Sequence, residues 1–282
     1  MRKLFAVFFA SFFIASSLSG TALAARSSSP STSEKVGYDI SYVQCGKRLP
    51  TDHYFGIVGV NGGTANNQNP CLSSQLAWAA RAKAGSAQSA VQLYVNTANP
   101  GELISQITTW PTSPVDMNGA LPNNPYGDTC LGANDTACSW LYGWNRSIYA
   151  EGIFQAAAEK AGLSTTTAGY YWWLDVETMN TWQLQGFEAQ RRNTAALEGF
   201  AAYYQSKHAK VGLYSTAVQW NDITGSVTSD GSNLNGLANW RPSGTSLTNA
   251  KANCNVSPLT LGGFISLTQY VQKNLDHNHS CI

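Results

Sequence analysis

Charge is scarce in this chain: Asp, Glu, Lys and Arg make up 12% of its 282 residues, and the formal net charge is +1. Without Arg2 and Lys3 the balance is 15 basic residues against 16 acidic ones. No basic stripe is present to neutralise phosphates, so nucleic acid is not an expected partner. After the first two dozen residues no apolar run approaches the roughly 20 residues that cross a bilayer, so no membrane anchor is expected. A G-x-G-x-x-G is missing after the first strand-like run, which argues against a dinucleotide site. A G-x-S-x-G is missing as well, which argues against serine hydrolase chemistry. No cysteine pair has C-x-x-C spacing, and His53, His208, His277 and His279 do not form a ligand set, so neither metal nor cofactor is expected. There is no internal repeat.

Aromatic residues are plentiful, at 11%, with 9 Trp and 13 Tyr, alongside 25 Gly and many Asn and Thr. That composition suits neutral polar ligands such as sugars, which stack on aromatic rings and bond to amides. The first residues combine two cations, an apolar block from Leu4 to about Ile14 and the small-residue ending Ala22-Leu23-Ala24. Such a segment reads as a secretory signal peptide, taken as 1–25. A polar Ser/Pro-rich linker at 26–35 follows, expected to be disordered, and then one domain over 36–282. The expected product is a secreted, extracellular monomer. Six cysteines in an exported chain point to disulfides. Cys130 and Cys138, which enclose "CLGANDTAC", are the nearest pair; Cys45 with Cys71 and Cys254 with Cys281 are the further pairings expected among 15 connectivities.

Short apolar or β-branched runs recur at 36–41, 55–63, 90–97, 169–177, 210–216, 237–242 and 264–270, each closed by Gly, Asn, Pro or Ser. Helical patterns lie between them at 71–85, 145–162 and 184–208, while the last third has no clear helix. Alternating strands and helices, with the strands apolar on both faces, predict parallel strands covered by helices. The expected fold is a single TIM-like (β/α) barrel with an irregular, helix-poor C-terminal third; a doubly wound open sheet is the alternative.

In such barrels chemistry collects at the C-terminal strand ends. Side chains alternate along a strand, so in "YYWWLDVE" Tyr171, Trp173, Asp175 and Glu177 share one face, and Leu174 and Val176 take the other. Two carboxylates beside aromatic walls resist simultaneous ionisation, and this yields an acid and a partner from the same chemistry. A D-x-E pair can equally cap a helix or meet an arginine, so other strand ends matter. Asp39 closes the first run and Asp276 follows the last; a closed barrel would bring all four acids together. Tyr214, Trp240, Asn96 and Gln269 also fall at strand ends, where they could bind a glycan with Tyr171 and Trp173. Trp78, Trp110, Trp140, Trp144 and Trp182 lack that placement and read as packing residues.

In order along the chain, "GYDISYVQ", "WLDVE", "VGLYST", and "LTQY" followed by "LDHN" resemble the motifs of the glycoside hydrolase family 25 lysozymes. The resemblance spans the mature chain as short islands. It implies an irregular barrel of about five β/α units followed by strands. It also implies cleavage of the β-1,4 bond between N-acetylmuramic acid and N-acetylglucosamine in peptidoglycan. Glu177 then matches the general acid and Asp175 the carboxylate that stabilises the reacting centre. Asp39 and Asp276 match two further acids of the site, and Tyr214 a strand-end tyrosine. Where the family has Gly-x-Tyr-His-Phe, this chain has "LYVNTANPG", and the segment 110–142 reads as an insertion. A chitinase-type D-x-x-D-x-D-x-E strand is not matched, since its first two acids would fall on Tyr170 and Trp173. Two other functions fit the same residues: a non-catalytic wall-binding protein on the same barrel, or a glycosidase for another envelope glycan.

Overall fold

A computed structural model describes residues 34–127, 129–226 and 229–282. The expected signal peptide at 1–25 and nearly all of the 26–35 linker lie outside the described residues. From Lys35 to Ile282 the chain forms one compact unit. Its eight strands close in sequence order: β1 Gly37–Ile40, β2 Gly56–Gly59, β3 Val91–Asn96, β4 Tyr171–Asp175, β5 Lys210–Tyr214, β6 Ala238–Pro242, β7 Phe264–Gln272 and β8 Leu275–Ser280. Pairs from β1–β2 through β6–β7 are parallel, and β8 runs antiparallel to both β7 and β1. Because β8 joins β1, the open-sheet alternative is excluded.

The apolar runs in the sequence end at 264–270, and the structure adds an eighth strand after them. A two-residue turn at Lys273 and Asn274, both with positive φ near 55°, reverses the chain so that Gln272 pairs with Leu275. Positive φ at both central positions is the geometry of a tight hairpin. With Lys rather than Gly in the turn, and His-Asn-His in the strand, little in the local sequence announces it.

Helices cover the outside of the barrel: α1 Leu72–Ala79, α2 Thr136–Lys160, α3 Gly186–Ser206, α4 Ala217–Thr224 and α5 Leu247–Asn253. The first ends earlier than its apolar pattern suggested. The second starts nine residues earlier than the predicted 145, inside the segment read as an insertion, because Asp135 caps it by accepting the Cys138 N–H at 2.8 Å. The last two are short, which agrees with the helix-poor final third. Where α2 crosses α3, Gly143 faces the Ala196 carbonyl and Gly199 the Trp140 carbonyl. A Cβ at these positions would lie 2.0 and 1.9 Å from those oxygens.

Outward residues of the strands, among them Ile40, Val58, Leu93, Trp172, Leu174, Val176 and Leu213, form the main core with the helices. The barrel interior is filled separately by Phe55, Ile57, Trp173, Ala238, Trp240 and Leu267. Inward glycines make room for rings: a Cβ on Gly59 would meet Tyr94 at 2.6 Å and one on Gly212 would meet Trp173 at 2.3 Å. Small positions opposite large ones are how a narrow barrel is filled. Disulfides join Cys45 to Cys71, Cys130 to Cys138 and Cys254 to Cys281. The last ties the end of α5 to the residue following β8.

Candidate active site

Seven parallel strands deliver their C-terminal ends to one rim. An antiparallel eighth strand delivers its N-terminal end to that same rim, which is why Asp276, at the start of β8, stands directly opposite Asp39 on β1. Asp39, Tyr94, Asp175, Glu177, Tyr214, Trp240, Gln269 and Asp276 line one cleft of about 210 Å³. Four carboxylates thus converge from the beginning, middle and end of the chain, with no cationic side chain among the described lining residues. Beneath them Trp240 is packed against Tyr214 with ring centroids 4.4 Å apart, and it approaches Trp173 at 5.9 Å and Tyr94 at 6.3 Å.

Amides fix two of the acids. Gln269 Nε2 donates to both oxygens of Asp39 at 3.1 Å, and Asn278 Nδ2 donates to Oδ2 at 2.7 Å. Tyr214 donates its O–H to Gln269 Oε1 at 2.8 Å, and Trp240 Nε1 donates to Asn278 Oδ1 at 2.7 Å. Each amide is therefore oriented by an aromatic donor, so the N–H groups have to face Asp39. On the other side, Asn96 Nδ2 donates to Asp175 Oδ2 at 2.6 Å, while the Asn96 backbone N–H donates to Asn61 Oδ1 at 3.0 Å.

Burial dominates the electrostatics. Asp39 is pushed up to about 7, first by desolvation and then by the charge of Asp276, with the Asn278 and Gln269 amides acting in the opposite direction. Asp175 is raised well above the usual carboxylate range by desolvation, then by its neighbour Glu177. Glu177 is also raised by desolvation, and bonds from Asp175 and Gln219 restrain the rise. Asp276 is raised by desolvation and lowered by His277. Asp175 Oδ1 is buried and accepts no hydrogen bond from the described residues. A proton on that oxygen would serve the Asp175–Glu177 pair, which titrates as one unit. Asp175 is 5% exposed and Glu177 only half-buried, so Glu177 is the member that a ligand can reach.

The expected glycan-binding residues divide. Tyr214, Trp240 and Gln269 line the cleft. Asn96 stands at the rim, but its side-chain N–H is spent on Asp175. Tyr171 and Trp173 do not reach the cleft, a correction to the reading of the aromatic run. They face inward as alternation requires, yet Trp173 lies one layer and Tyr171 two layers below the rim. Trp173 is fully buried, stacks on Tyr171 at 4.5 Å and donates Nε1 to Gln92 Oε1 at 2.7 Å. Sequence reasoning missed Tyr94, Asn278 and Gln219. Tyr94 is two residues before Asn96 and Asn278 two after Asp276, so the same alternation would have found both. Gln219, on α4, carries no such signal; its Oε1 accepts the Thr178 N–H at 2.7 Å and steadies the loop after Glu177.

No protein-family model matches the chain, and no curated protein matches it. Among solved structures the chain is similar to a muramidase from Trichobolus zukalii, at 13% identity and a TM-score of 0.44, over 87% of this chain and 92% of that one.

Proposed function

We propose that the chain is a secreted glycoside hydrolase that cleaves the β-1,4 bond between N-acetylmuramic acid and N-acetylglucosamine in peptidoglycan. The observation that carries this reading is the meeting of Asp39, Asp175, Glu177 and Asp276 in one cleft beside Tyr94, Tyr214 and Trp240. Paired carboxyl groups, one of them kept protonated by burial and a like-charged neighbour, are what glycosidic hydrolysis uses. Three disulfides suit an oxidising compartment, and among the described residues no helix is long and apolar enough to cross a membrane.

In this mechanism the Asp175–Glu177 pair holds one proton at rest. As Glu177 transfers a proton to the glycosidic oxygen, the C1–O bond breaks and its electrons leave with the protonated oxygen. Asp175, having passed its proton to Glu177, is then an anion beside the positive charge at C1. Asp39 and Asp276 add negative potential on the opposite wall. Water attacks C1, and its released proton restores the pair. Tyr214 presents ring surface to the sugar, while Trp240, 2% exposed beneath it, and Gln269, whose amide is committed to Asp39 and Tyr214, hold that wall in place.

Purified protein incubated with peptidoglycan should release new reducing ends, with mass spectrometry finding N-acetylmuramic acid at the reducing terminus. Products from a different polysaccharide alone would move the assignment to another envelope glycan. Binding to walls with no product at any pH would identify a non-catalytic binder.

A further inference from the structure

Arg241 lies on the outward face of β6, back to back with Trp240. It is 8% exposed; Nη1 donates to the Ser257 carbonyl at 2.9 Å, and Nε is buried with no partner among the described residues. The one ion pair among the described residues is Arg191 with Glu188, so no described carboxylate neutralises this guanidinium. Trp220 on α4, 1% exposed, also has an Nε1 donor without a partner among the described residues. Both residues line a single cavity of about 660 Å³, together with Ser257, Leu259, Leu261 and Gly262. No acidic residue among the described ones lines it. Leaving the Arg241 Nε and the Trp220 indole N–H unpaired is unfavourable, and an acceptor in this cavity that drew either side chain toward it would reduce that penalty.

We propose that this cavity is a binding site for a monocarboxylate with a small apolar body. The Arg241 guanidinium takes the carboxylate head, Trp220 Nε1 gives a second donor, and Leu259 and Leu261 face the apolar part. A single cation with no other basic lining residue matches one negative charge better than the two of a phosphate. The volume lies within the range of small-molecule sites. Burial lowers the Arg241 pKa from its ordinary value, a cost that a bound anion would offset. The site is on the opposite face of β6 from the acid cleft, and its existence does not depend on the reaction proposed there.

Calorimetric titration of the whole protein would use N-acetylalanine, its carboxamide and inorganic phosphate as probes. Saturable binding of the acid is expected, with the carboxamide and phosphate each weaker by about tenfold or more. Arg241→Met should weaken the acid by at least about tenfold and Trp220→Phe by about threefold, with circular dichroism confirming the fold of each. The site is refuted by acid and carboxamide binding equally, by phosphate binding more tightly, by unchanged affinity in Arg241→Met, or by no saturable binding of the acid. If Arg241→Met does not fold, the Trp220→Phe variant and the three probes decide the same question.

Discussion

At the scale of single residues, Asp39 and Asp175 are buried acids whose partners are amides rather than cations. For Asp39 the consequence is a stability that depends on pH. Its folded value is about 7, while an unfolded aspartate titrates near 3.8. The folded state therefore binds the proton more tightly, so the stabilising contribution is present below pH 4 and is lost as pH rises through 7. At 1.36 kcal/mol per unit, the full loss is about 4 kcal/mol. Asp39→Asn keeps the shape and removes the charge, so thermal melts should find it more stable than the parent at pH 8 and nearly equal at pH 4. For Asp175 the amide of Asn96 favours the ionised form. Asn96→Ala should move the whole pH profile of hydrolysis toward higher pH, because the shared proton is held more tightly. A merely structural loss would lower the rate without moving the profile.

Elements set where these residues stand. The α2–α3 crossing depends on two glycines that let backbone meet backbone, and Gly199→Ala places a methyl 1.9 Å from the Trp140 carbonyl. Urea denaturation should show a loss of about 1–3 kcal/mol or more, since neither helix can yield without shifting the strands it covers. Much of this scale was legible in the sequence. Seven strand runs and three helices could be read from apolar periodicity, and the closure of the barrel from four acids at three distant strand ends. The rest was hidden for identifiable reasons. α2 begins directly after the polar loop "GAND", where only the cap Asp135 marks a start. β8 reads as "LDHNHS", with polar residues facing a polar rim, so hydrophobic alternation has nothing to report. Tyr171 and Trp173 were placed on the correct face, but depth along a strand is set by the register with its neighbours, which periodicity does not contain.

For the whole molecule, the antiparallel return of β8 is what completes the site. It brings Asp276 opposite Asp39 and Asn278 against it, and the Cys254–Cys281 disulfide fixes its far end. The central claim is that Glu177 delivers the proton that breaks the glycosidic bond. The most direct measurement compares Glu177→Gln with the parent protein on peptidoglycan, following kcat for reducing-end release and, in parallel, binding to the same walls. General acid catalysis contributes about 10²–10⁴-fold, so kcat should fall by about that factor while wall binding is retained. Hydrolysis by Glu177→Gln at the parental rate would contradict the account.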